Sequence, residues 1–102
     1  MPRRIKIAEI QDIAPGRGKL VEIEGQQVAL FNLGGTFYAI EATCPHRGGP
    51  LQDGDLEGDR VICPLHDYDF SLKTGESSAA PDLRVATFSV VVEGPHIFIE
   101  LP

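Results

Sequence analysis

Hydrophobic and polar positions alternate along this chain in short runs, each ended by glycine, proline or a small polar residue. A period of two marks half-buried β-strands. Strands are expected at 4–8, 20–24, 27–33, 36–41, 60–63, 69–72, 85–92 and 96–101. Gly34-Gly35, between Phe31-Asn32-Leu33 and Phe37-Tyr38-Ala39-Ile40, reads as a tight hairpin because both positions tolerate positive φ. Glu24-Gly25-Gln26, Lys73-Thr74-Gly75 and Glu93-Gly94-Pro95 mark further turns. No segment holds a helical period over three turns. Ile10-Gln11-Asp12-Ile13 has room for one helical turn before Pro15-Gly16 stops it. Phe31, Phe37 and Tyr38 read as core or cross-strand packing. The pattern is all-β, over a single domain 1–102, without internal repeat, linker or low-complexity segment.

Composition supports many turns and a modest core: eleven Gly, eight Pro, 42% hydrophobic and 7% aromatic residues in 102. Nine Lys plus Arg against fifteen Asp plus Glu give a net charge of −6, which argues against nucleic-acid binding and polybasic membrane anchoring. An acidic surface suits a cationic partner face. No apolar run approaches the roughly 20 residues of a membrane span. Met1-Pro2-Arg3-Arg4 followed by Ile5-Lys6-Ile7 does not resemble a signal peptide, so a cytoplasmic location is expected. Two cysteines are too few for the disulfide framework of a small secreted domain.

The strand rhythm breaks at 43–59, which holds four glycines and two prolines, and again at 63–67. Both pieces open alike: cysteine, proline, then histidine at once or one position later. The pattern is Cys44-x-His46, sixteen residues, then Cys63-x-x-His66. Each loop offers one thiolate and one imidazole, and the two loops can lie side by side at one end of a β-barrel or sandwich. Thiolate suits iron with bridging sulfide, whereas imidazole suits iron or zinc. Gly48 and Gly49 let the chain pass close to such a group. A tetrahedral zinc site, and hence a zinc-stabilised interaction module, stays open on these residues alone, although zinc usually comes with a Cys-x₂₋₄-Cys knuckle. The acidic run 53–59 reads as a solvated hairpin, with a docking surface or a calcium loop as its sharper alternatives. His96 reads as an exposed turn residue.

At these residues the chain resembles the Rieske [2Fe–2S] family. Cys-Pro-His-Arg-Gly-Gly-Pro-Leu at 44–51 and Cys-Pro-Leu-His-Asp-Tyr-Asp-Phe-Ser-Leu-Lys-Thr-Gly at 63–75 are similar to its soluble branch. That branch contains the Rieske-type ferredoxins of dioxygenase systems and the small subunit of NADH-dependent nitrite reductase. The resemblance implies a Rieske-type antiparallel β-sandwich or barrel with a two-loop cluster-binding subdomain at one tip. It implies one [2Fe–2S] cluster, its inner iron held by Cys44 and Cys63 and its outer iron by His46 and His66. It further implies a one-electron carrier between a flavin-dependent reductase and a terminal oxygenase, or alternatively a partner of the nitrite reductase large subunit. No vacant coordination position is expected, so no catalysis is expected of this chain alone.

High-potential relatives carry an extra cysteine in each loop, a serine two residues after the second histidine and a tyrosine four residues after it. Here the corresponding residues are Gly49 and Leu65, Tyr68, and Phe70. Hydrogen bonds to cluster sulfur favour the reduced, more negative form. Their loss places the expected potential near the low end of the Rieske range, at about −150 mV.

Overall fold

The computed structural model describes residues 3–43, 50–64, 68–78 and 82–101. Nine strands form among them: β1 (Arg3–Glu9), β2 (Gly18–Ile23), β3 (Gln26–Leu33), β4 (Thr36–Glu41), β5 (Asp55–Glu57), β6 (Arg60–Ile62), β7 (Asp69–Ser71), β8 (Thr87–Glu93) and β9 (His96–Leu101). They make a six-stranded antiparallel sheet, ordered β1-β9-β8-β4-β3-β2, and a three-stranded antiparallel sheet, β5-β6-β7. The Gly34-Gly35 hairpin forms between Leu33 and Thr36 with both glycines at positive φ (63° and 99°), which joins the strands without splaying their twist. Ile10–Asp12 is the anticipated single turn, as a 3₁₀ turn whose first and last groups are tied by Glu9 and Asp12.

Strand β3 explains how the two sheets share one molecule. Val28 and Leu30 join a cluster with Ala8, Ile23, Ala39, Ile97 and Ile99, all buried. Ala8 lies on β1 and Ile23 on β2, the two edges of the large sheet, so the sheet curls around this cluster. Ala29 and Phe31 point the other way, into a second cluster with Ile40, Ala42, Leu51, Val61, Cys63, Phe70, Leu72 and Val85. A strand covered on both faces must be apolar at successive positions, and Val28-Ala29-Leu30-Phe31 is. Asn32 follows this run and is buried. Its amide donates to the Ile13 carbonyl (2.8 Å) and its oxygen accepts the Gly35 N–H (2.8 Å), so no polar group of this side chain is left without a partner.

Besides shifts of one or two residues at strand ends, as in β2, which runs Gly18–Ile23 rather than 20–24, three details differ from the sequence reading. The run at 85–92 enters the ladder only at Thr87, because Val85 turns into the second cluster and its N–H donates to the Gly75 carbonyl (2.9 Å). The acidic run is a hairpin, as expected, but contributes a strand of its own, β5, paired Asp55 to Ile62 and Glu57 to Arg60. Gly58-Asp59 between Leu56-Glu57 and Arg60-Val61 is the two-residue turn signal that marks it. His96 is not a turn residue: it opens β9, opposite Glu9 of β1 and Glu93 of β8, with its side chain 43% exposed.

Candidate metal centre

Two loop mouths open from the second cluster. Thr43 and Pro50 form an isolated antiparallel bridge that closes the mouth of the first loop. The Leu51 N–H, just past it, donates to the Ala42 carbonyl (2.8 Å). A 3₁₀ turn over Leu51–Asp53 follows and buries the Leu51 side chain completely. The second mouth extends the β6–β7 ladder. Arg60, Val61 and Ile62 pair with Ser71, Phe70 and Asp69, and the next rung is the Cys63 N–H donating to the Tyr68 carbonyl at 2.7 Å.

Of the four expected ligands, Cys63 is described; Cys44, His46 and His66 lie outside the described residues. Cys63 is a free thiol with no exposed surface. A buried thiol by itself is equally a small hydrophobe. Its position distinguishes it. Cys63 stands at the mouth of the second loop and shares one apolar cluster with Ala42 and Leu51, which flank the first. Both loops therefore start from a common floor that excludes water, and the residues they carry are two thiols and two imidazoles. That donor set and that floor fit a [2Fe–2S] group held between the loops.

The second mouth is braced from behind. Arg60 Nη1 donates to Asp69 Oδ2 at 2.9 Å, and the Ser78 N–H (3.1 Å) and hydroxyl (2.8 Å) donate to Asp69 Oδ1. Partial burial of the Asp69 carboxyl opposes its ionisation. The Ser78 hydroxyl and N–H, together with the Arg60 guanidinium, outweigh that and hold its pKa below the usual value. This brace was invisible in the sequence. Arg60 and Asp69 are diagonal neighbours only once the β6–β7 register is known, and Ser78 arrives from a separate segment. The acidic hairpin holds Asp53, Asp55 and Glu57 exposed. Among the described residues no three His, Cys, Asp or Glu side chains converge as ion ligands, so the calcium-loop alternative has no support there.

The model of the Rieske [2Fe–2S] domain matches residues 3–89. The 3-phenylpropionate/cinnamic acid dioxygenase ferredoxin subunit of Escherichia coli K12 is 40% identical over 101 residues, covering 97% of this chain and 94% of the relative. Among solved structures, the ferredoxin of carbazole 1,9a-dioxygenase from Nocardioides aromaticivorans IC177 superposes with a TM-score of 0.87 at 27% identity, over 94% of this chain and 95% of that one. A protein provisionally designated the NADH-dependent nitrite reductase small subunit of Mycobacterium tuberculosis reaches 0.93 over 100% and 97%, at 24% identity, a likeness of fold alone. Among the described residues no helix is long and apolar enough to cross a membrane. Two loop mouths on one apolar floor, a buried cysteine at the second, and a domain match spanning both lead to one conclusion: the chain belongs to the Rieske [2Fe–2S] family and its prosthetic group is one [2Fe–2S] cluster.

Proposed function

We propose that this chain, as one domain over 1–102, is a cytoplasmic Rieske-type ferredoxin that carries single electrons from a flavin-dependent reductase to a terminal oxygenase. Cys44 and Cys63 hold the inner iron of the cluster, and His46 and His66 the outer one. The observation that carries this reading is the fully buried Cys63 at the mouth of a loop that shares its apolar floor with the first. When bound, the cluster supplies a one-electron couple. Two thiolates and two neutral imidazoles leave the oxidised site without net charge, so one added electron creates a single negative charge. Four thiolates would require a third negative charge on a site that already holds two, which is costlier in a partly buried place. The protein's part is to keep Cys63 dry and to bring the loops together, while iron binding itself requires the two cysteines as thiolates and the two imidazoles neutral.

The assignment to an oxygenase system rests on the dioxygenase ferredoxin subunit, which is alike in sequence over nearly the whole of both chains. The alternative, a subunit of an NADH-dependent nitrite reductase, rests on likeness of fold.

The test is direct. Purified protein is expected to contain iron and acid-labile sulfide in equal amounts and no stoichiometric zinc, and Cys63→Ser is expected to lose the cluster. Reduction by an NADH-fed flavin reductase, followed by substrate turnover when a terminal oxygenase is added, completes the assignment. A Cys63→Ser variant that keeps its full iron content overturns the ligand assignment, and a reduced protein that passes electrons to no oxygenase overturns the carrier reading.

A further inference from the structure

Gly54 stands between the two loop mouths, and its backbone does not explain why it is glycine. Its φ of −75° and ψ of 160° are extended values that any residue adopts. Space explains it. A Cβ at Gly54 would overlap the carbonyl oxygen of Ile62, with the Ile62 carbonyl carbon at 3.1 Å and Val61 Cγ2 at 3.0 Å. The obstacle is main chain in a central strand, since Ile62 lies in register with Asp55 of β5 on one side and Asp69 of β7 on the other. It cannot rotate away as a side chain would.

What this contact joins is the two loops. The first loop leaves through Pro50, and the 3₁₀ turn that follows is held by Asp53 N–H to the Pro50 carbonyl (3.0 Å) and Gly54 N–H to the Leu51 carbonyl (3.0 Å). The far side of the contact, Ile62, immediately precedes Cys63. A short, internally bonded segment therefore runs from the exit of one loop to the residue before the cysteine of the other, and Gly54 is where the two meet. We infer that Gly54 is a positioning residue that sets the separation of the two ligand loops, and through it the geometry and retention of the cluster. The inference rests on the ligand assignment proposed above. A methyl group there must move Ile62, and Cys63 with it, away from the Pro50 end of the first loop. A group bound by both loops registers that displacement, whereas the rest of the sheet can absorb it.

The experiment compares purified holoproteins: wild type, Gly54→Ala and Gly58→Ala. Gly58 lies on the same hairpin at its tip, with φ +60° and open space around its Cβ position, so its replacement strains the turn without touching the loop separation. Three readouts are taken: the midpoint potential by voltammetry, the electron paramagnetic resonance spectrum after reduction, and the rate of iron release to a chelator. Gly54→Ala is expected to fold, to shift both potential and spectrum, and to release iron roughly ten-fold faster, within the range seen when groups supporting metal ligands are altered. Gly58→Ala is expected to keep the wild-type potential and spectrum. A Gly54→Ala protein matching wild type or Gly58→Ala in all three readouts overturns the inference. So does one that cannot be obtained as a folded holoprotein under conditions that yield folded wild type and Gly58→Ala, because the contact then holds up the fold as a whole. Retention of the cluster by Cys63→Ser would overturn the ligand assignment instead, so the two failures are distinct.

Discussion

Replacing Phe70 with Tyr adds one hydroxyl to a side chain without exposed surface, and the β6–β7 register says where it goes. Val61 is opposite Phe70, and the next outward rung joins Cys63 to Tyr68. Phe70 and Cys63 are thus diagonal neighbours, about 7–8 Å apart along the ladder, within reach of an aromatic side chain. Both belong to the same buried cluster. A tyrosine hydroxyl that reaches the Cys63 sulfur donates a hydrogen bond strengthened when the cluster gains an electron. A preference of about 1.4 kcal/mol for the reduced state raises a one-electron midpoint by roughly 60 mV. A hydroxyl that does not reach it is a buried donor without a partner, costing about 1–3 kcal/mol. In a domain near this size each kcal/mol lowers the melting temperature by about 4–8 °C. Voltammetry and thermal unfolding of the same holoprotein therefore separate the two cases. The expected outcome is a midpoint raised by about 60 mV with melting within about 4 °C of wild type. The wild-type midpoint is expected near the low end of the Rieske range, about −150 mV. An unmoved midpoint together with a lowered melting temperature would show that the ring does not face the thiolate and would refute the reasoning. A wild-type midpoint in the upper half of the range would sink the carrier assignment as well.

Three further outcomes are expected. Leu51→Ala empties a fully buried position beside the first loop mouth and should cost about 2–5 kcal/mol in chemical denaturation; a cost below about 1 kcal/mol would mean that Leu51 does not anchor that loop. Because the Asp69 carboxyl is held below its ordinary value of 3.8, it stabilises the fold above that value, and the contribution is lost as pH falls through the lower folded-state pKa. The stability gap between wild type and Asp69→Asn should accordingly be full at neutral pH and shrink below about pH 4; a gap constant down to pH 2 contradicts the brace. Electron transfer from the reductase should slow as salt rises, since Asp53, Asp55 and Glu57 are exposed, form no ion pair among the described residues, and lose their reach as the Debye length falls from about 10 Å at 0.1 M to about 3 Å at 1 M; a flat rate removes the acidic hairpin from docking.

The sequence by itself determined what is local. Alternation placed most of the strands, Gly34-Gly35 placed a hairpin, and Cys44, His46, Cys63 and His66 with their flanks identified the family and its cluster. These signals suffice because strand periodicity, positive φ and metal-ligand chemistry each act within a few residues. Strand β3 shows where the local signal ends. Val28-Ala29-Leu30-Phe31 announces burial on both faces, but the partners on each face come from strands distant in the chain. The same holds around the metal centre. Arg60, Asp69 and Ser78 are ordinary polar residues until strand register and a returning segment bring them together. Gly54 looked like one loop glycine among several. The tertiary structure distinguishes it, because the Ile62 carbonyl occupies the space where a side chain would stand, and packing between segments has no periodicity for a single sequence to reveal.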